Sequence, residues 1–176
     1  MNWMLLPLKR YAEFSGRSRR MEYWMFQLFM FLVYMAMMVL MMVVGGGAMM
    51  MASGDPSSAL AAGGAVLLIF GVYCLFALAM FIPSLAVSVR RLHDTNRSGW
   101  WILAPIAGYV IMVAGGLLAA ASPDNPGLGG VFAMIGGLAV LGLGLTVLVF
   151  MFLEGTRGPN NYGPDPKGEA LDKVFA

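Results

Sequence analysis

The sequence predicts an all-α membrane protein: a four-transmembrane-helix bundle with an N-terminal interfacial helix and cytoplasmic loops. Two observations carry this. Four long apolar stretches follow one another in a chain that is 60% hydrophobic and only 11% charged. The Lys and Arg residues fall only between and around those stretches, in three clusters. The clusters are Lys9, Arg10, Arg17, Arg19, Arg20; then Arg90, Arg91, Arg97; then Arg157, Lys167, Lys173. If each stretch crosses a bilayer once, every cation lies on the same face, as the positive-inside rule requires. Both termini are then cytoplasmic, and the outer loops are 45–62 and 122–130. Those loops hold Asp55 and Asp124 and no base.

A span needs about 20 apolar residues, so four spans use about half of a 176-residue chain. No separate soluble domain fits, and residues 1–176 read as one integral membrane domain. The net charge of +2 is small, but its placement suits anionic lipid head groups at the cytoplasmic face. Nucleic acid is a poor reading, because the cations hug the span ends and form no independent domain. Cys74 is the only cysteine, which excludes an intramolecular disulfide and a Cys-rich zinc site. The basic region runs to Arg20 and a long apolar segment follows, which describes a retained signal anchor and not a cleavable peptide.

The elements follow in order. Residues 2–14 predict a short interfacial helix, with Met4, Leu8 and Tyr11 on one face and Trp3 and Tyr11 as anchors. Pro7 is tolerated near its first turn. Span 1 covers about 24–44, with Tyr23 and Trp24 at its boundary and an end at Gly45-Gly46-Gly47. Span 2 covers about 64–87 and carries Pro83, which removes a backbone hydrogen bond; helix can continue to Leu92. Residues 93–99 form a polar connector. Span 3 covers about 100–121 behind Trp100 and Trp101. A breaker-rich turn leads to span 4, about 131–153. Residues 154–176 form a polar tail.

The spans hold no Asp, Glu, Lys, Arg or His, which removes the usual chemistry of proton relays and ion paths. Spans 3 and 4 carry small residues four apart, such as Ala104 with Gly108, Gly115 with Ala119, and Ala133 with Gly137. That spacing permits close helix approach, within the bundle or in a homo-oligomer. Eight of the seventeen Met residues lie between Met35 and Met51. Thioethers are soft ligands for Cu(I), but no His or Cys stands beside them, and Met as an apolar filler is the simpler reading. No metal and no cofactor is implied.

Three polar segments carry the remaining information: FSGRSRRMEYW at 14–24, RRLHDTNRSGWW at 90–101, and EGTRGPNNYGPDP at 154–166. Glu22 sits at the membrane boundary, where a carboxylate needs a partner; Arg91 and Arg97 are candidates. Ser98 or Asn96 can cap span 3, and Gly99 permits close backbone approach. The Gly and Pro residues of the third segment impose a fixed path that folds back over the span ends. These segments resemble the hallmark segments of the bacterial membrane-protein family called domain of unknown function 805. The matching positions are Phe14, Gly16, Arg17, Arg20, Glu22, Tyr23 and Trp24, then Arg90, Arg91, Leu92, His93, Asp94, Ser98, Gly99 and Trp100, then the closing GTRGPNNYGPDP. The resemblance covers the whole chain in order. It implies a multi-pass protein of the bacterial inner (plasma) membrane and implies no activity.

Three functions remain open. Arg17, Arg20, Arg90, Arg91 and Arg97 can converge on an anionic lipid head group or a phosphorylated amphiphile through guanidinium contacts. Glu22, His93 and Asp94 would then orient them. Alternatively, the motifs are topology signals and ion pairs of a structural or partner-binding protein. A small transporter or a lipid-modifying enzyme is the third class. His93 with Asp94 or Glu154 can do acid–base work, but no nucleophile elbow, paired-histidine motif or P-loop supports it, and no catalytic residue is assigned.

Overall fold

The computed structural model describes residues 3–51, 56–122, 125 and 127–168. It is helical, and four helices are long and apolar enough to cross a membrane: Arg20–Gly47, Gly63–Asp94, Gly99–Ala121 and Gly127–Phe152. The chain divides into two units. Met1–Glu13 and Met21–Ala86 form the first, and Phe14–Arg20 and Val87–Ala176 form the second.

The first unit begins with α1 (Leu6–Lys9), a single turn. Pro7 opens it at a position where the missing N–H costs nothing. Arg10 ends it with φ −107° and ψ 48°. The helix expected over 2–14 is therefore cut to four residues. Arg10 pairs with Glu13 at 3.6 Å in the open.

The long helix α2 (Arg20–Met51) follows. It does not stop at Gly45-Gly46-Gly47 as the sequence suggested. Away from water, a backbone group released from the helix finds no other partner, so glycine's usual cost is outweighed. The helix α3 (Pro56–Asp94) is longer still, so most of the expected loop at 45–62 is helical. Asp55 lies outside the described residues. Against α2, α3 sets Tyr73 and Phe76 beside Tyr34, with ring centroids 5.5 and 5.7 Å away.

Pro83 lies inside α3 and cannot donate to the carbonyl four residues earlier, that of Ala79. The hydroxyl of Tyr11 fills this vacancy, donating to Ala79 O at 2.5 Å. Tyr11 thus has a backbone partner in addition to any interfacial role.

In the second unit, α3 ends at Asp94 and the chain turns through Asn96, the one non-glycine residue with positive φ among those described, at 55°. Asparagine tolerates that region. A 3-10 helix (Gly99–Leu103) then precedes α4 (Ala104–Ala121). The expected single span 3 is split because Pro105 sits in the first turn of α4 and suits a fresh helix start. The hydroxyl of Ser98 accepts the N–H of Trp100 at 3.4 Å and caps the 3-10 turn.

The helix α5 (Gly127–Phe152) packs tightly on α4. A Cβ on Gly136 would lie 2.2 Å from the backbone nitrogen of Met112, and one on Gly115 would lie 2.3 Å from that of Ala133. Gly108 and Gly129 are equally closed, at 2.7 Å from Val140 N and 2.3 Å from Ala119 N. Small residues here serve a contact within the chain, where backbones gain dispersion that larger side chains would prevent. Gly116, Gly130, Gly142 and Gly144 have nothing within 4 Å of an added Cβ. Pro123, Asp124 and Pro126 of the expected outer turn lie outside the described residues.

Candidate functional site

Residues 14–20, the end of α3 and the tail from Glu154 meet at the polar end of the second unit. The centre is Asp94, which is 5% exposed. Its position at the last turn of α3 puts it three residues beyond Arg91, on the same helix face. Arg91 Nη1 donates to its Oδ2. From the extended segment before α2, Arg17 reaches its Oδ1 with Nε and Nη2, both at 3.0 Å.

The rest of both guanidinium groups is spent on backbone carbonyls. Arg17 Nη1 donates to Gly158 O at 2.6 Å and Nη2 to Thr156 O at 2.5 Å. Arg91 Nε donates to Met151 O at 3.2 Å and Nη2 to Leu153 O. Every nitrogen of both side chains thus has an acceptor. Met151 O lies in the last turn of α5 and Leu153 O just past it, where carbonyls have no helical partner and attract a cation.

The tail grips Asp94 from the other side. Thr156 donates to Asp94 O through its N–H at 2.9 Å and its hydroxyl at 3.2 Å. Asn160 Nδ2 donates to His93 O at 2.8 Å and to the Thr156 hydroxyl at 2.9 Å, while its Oδ1 accepts the N–H of Tyr162. Gly155 touches the carboxylate so closely that an added Cβ would lie 2.0 Å from Asp94 Oδ2. Gly158 and Gly163 have φ of +75° and +137°, which explains the glycines of the closing motif. Asn160 and Gly163 close an antiparallel bridge.

Asp165 staples the tail to itself. Its Oδ1 accepts the N–H of Lys167 at 2.9 Å and its Oδ2 that of Gly158 at 3.0 Å. The bond from Lys167, with that from Gly158 and the charges of Arg17 and Lys167, holds this carboxyl below the usual carboxylate range, against the opposing effect of desolvation.

The other residues singled out from the sequence take separate places. His93 stacks flat on Tyr162, with centroids 3.9 Å apart and planes 4° from parallel. Its Nδ1 lies 3.2 Å from Gly16 O, and because a carbonyl only accepts, this nitrogen carries the proton. Arg20 does not share a face with Arg17, because helix starts only at Arg20. It turns to Glu154 at 2.9 Å and to Phe152 O at 3.3 Å. Arg90 is fully buried, and its carbonyl accepts the N–H of Ser18 at 3.1 Å. Arg97 lies over the ring of Phe150, 3.7 Å from the centroid, and Phe150 meets Trp101 edge-on at 5.4 Å. Glu22 is buried in the first turn of α2, in the other unit. The sequence marks Asn160 only as a turn former and does not single out Thr156, Tyr162 or Phe150; Thr156, Asn160 and Tyr162 lie within the closing motif. Their spacing between the glycines of that motif is the available signal.

Four apolar helices with a hydrogen-bonded polar end define a multi-pass integral membrane protein. The chain belongs to the family described as Protein of unknown function (DUF805), whose model matches residues 11–164. It is similar to the inner membrane protein YhaI of Escherichia coli strain K12, at 32% identity over 175 residues covering 95% of this chain and 97% of that protein. It is also similar to the inner membrane protein YhaH of the same strain, at 32% identity over 174 residues covering 96% and 99%. No solved structure matches it. The chain is an integral inner-membrane protein.

Proposed function

We propose that the polar end is a structural latch on the cytoplasmic face, and that the protein serves as a structural or partner-binding membrane protein. The observation that carries this reading is the saturation of Arg17 and Arg91. Each guanidinium nitrogen already has a protein acceptor, so neither side chain has the open bidentate fork that a phosphate would take. Arg20 is likewise engaged by Glu154. The segregation of all Lys and Arg supports cytoplasmic termini. A reporter fused at Gly54 should be active outside and one fused at Asn96 inside; reversed activity at either point would overturn the orientation.

A second reading has one observation of its own. Arg97 Nε is buried without a hydrogen-bond partner among the described residues, and Trp100 nearby in the chain is 77% exposed. An anionic lipid head group at the interface suits that pair. Native mass spectrometry of retained phosphatidylglycerol separates the two. The latch reading expects Arg91→Ala to lower the unfolding temperature and leave lipid retention unchanged. Loss of retained lipid in Arg91→Ala at unchanged stability would sink it, and loss in Arg97→Ala alone would support the second reading.

A further inference from the structure

The first unit carries an apolar groove of about 620 Å3 between α2 and α3, a size ordinary for small-molecule sites. Phe31, Tyr34, Met38, Met41, Phe70 and Tyr73 are among the residues lining it. Met supplies an adaptable wall, and the aromatic rings supply flat faces.

Two polar atoms interrupt that lining. Neither the Tyr34 nor the Tyr73 hydroxyl has a hydrogen-bond partner among the described residues. Their rings lie 5.5 Å apart, and Phe76 meets the Tyr34 ring edge-on at 5.7 Å. Tyr34 is ten residues beyond the boundary residue Trp24, so it lies roughly 15 Å into the membrane at a rise of about 1.5 Å per residue. That is the middle of a hydrocarbon core about 30 Å thick. A hydroxyl there has no water, and leaving it without an acceptor is costly. A phospholipid cannot serve it, because its ester oxygens sit at the interface and only its acyl chains reach this depth. The acceptor must come from a molecule that is apolar enough to reside at the midplane and yet carries oxygen.

We propose that this groove binds a flat, uncharged lipophile with carbonyl oxygens, the chemistry of a membrane quinone. The two phenols donate to its carbonyls, and the aromatic and Met side chains enclose its ring.

The test uses the full chain in nanodiscs of neutral phospholipid, titrated with decyl-ubiquinone and counted by native mass spectrometry. The proposal expects one quinone retained per chain beyond the partition into empty discs. Tyr34→Phe combined with Tyr73→Phe keeps both rings and removes both donors. It should weaken retention about tenfold, since two hydrogen bonds are lost, at an unchanged unfolding temperature. Met38→Trp, which fills the groove, should abolish retention. No retention beyond partition would overturn the proposal. So would equal retention by the double Phe variant, or equal retention of decylbenzene, which lacks the oxygens.

Discussion

Tyr11 donates its hydroxyl to the carbonyl of Ala79, the acceptor that Pro83 leaves without a helical donor. One side chain 68 residues away completes the helix that proline interrupts. Tyr11→Phe should therefore destabilise the protein by about 0.5–1.5 kcal/mol. Pro83→Ala restores an N–H at position 83, so the same change in that background should cost less. Thermal unfolding of the four-member cycle in one detergent checks this; equal costs in both backgrounds would detach Tyr11 from Pro83.

Gly155 abuts Asp94 with no room for a methyl group. Gly155→Ala should cost about 1–3 kcal/mol, as overpacking does, and should loosen the tail. Gly46→Ala has open space around it and should be neutral or slightly stabilising, because alanine is the better helix former. Chemical denaturation of both variants measures the contrast.

The glycines of α4 and α5 divide in the same way. Gly136→Ala drives a Cβ into backbone of the facing helix and should be among the most damaging single-methyl changes in the chain. Gly116→Ala meets nothing and should be tolerated. Folded yield after membrane extraction ranks them, and a tolerated Gly136→Ala would refute the packing.

These contrasts mark what the sequence could say. Apolar length and the segregation of Lys and Arg made four spans legible, because lipid imposes a coarse rule on composition. Helix ends were less legible. Gly45-Gly46-Gly47 reads as a stop in water, yet the helix runs through it. At the polar end the sequence marks Arg17 and Arg91 as candidates for an anionic head group, with Asp94 to orient them. It does not show their pairing with Asp94 and with backbone, because Arg17 turns on the extended path before α2 and on carbonyls of the tail. Backbone acceptors have no signature in a residue list. The sequence alone also leaves open whether the small-residue spacing serves contacts within or between chains; at Gly108 and Gly115 it serves the α4–α5 contact, which Gly129 and Gly136, outside that spacing, also make.

Asp165 makes the tail sensitive to acid. Its folded pKa lies below its ordinary value, so its carboxylate stabilises the fold fully above the unfolded pKa of about 3.9. That contribution is lost as pH falls through the lower folded value. Amide resonances of Gly158 and Lys167 should therefore hold their folded positions through neutral pH and change only in the acid range. Asp165→Asn should flatten that transition; an unaltered profile would assign it to another group.

Asp94 is the joint between helix and tail, held by two buried arginines. Removing one partner of a buried ion pair costs about 3–5 kcal/mol, because the charge left behind stays unpaired. Hydrogen exchange of the segment 153–166, followed by mass spectrometry in nanodiscs, tests it most directly. The wild-type segment should exchange slowly at the Thr156 amide, which donates to Asp94 O, and Asp94→Asn should release it to rapid exchange. Rapid exchange in the wild type, or equal protection in both proteins, would contradict the latch.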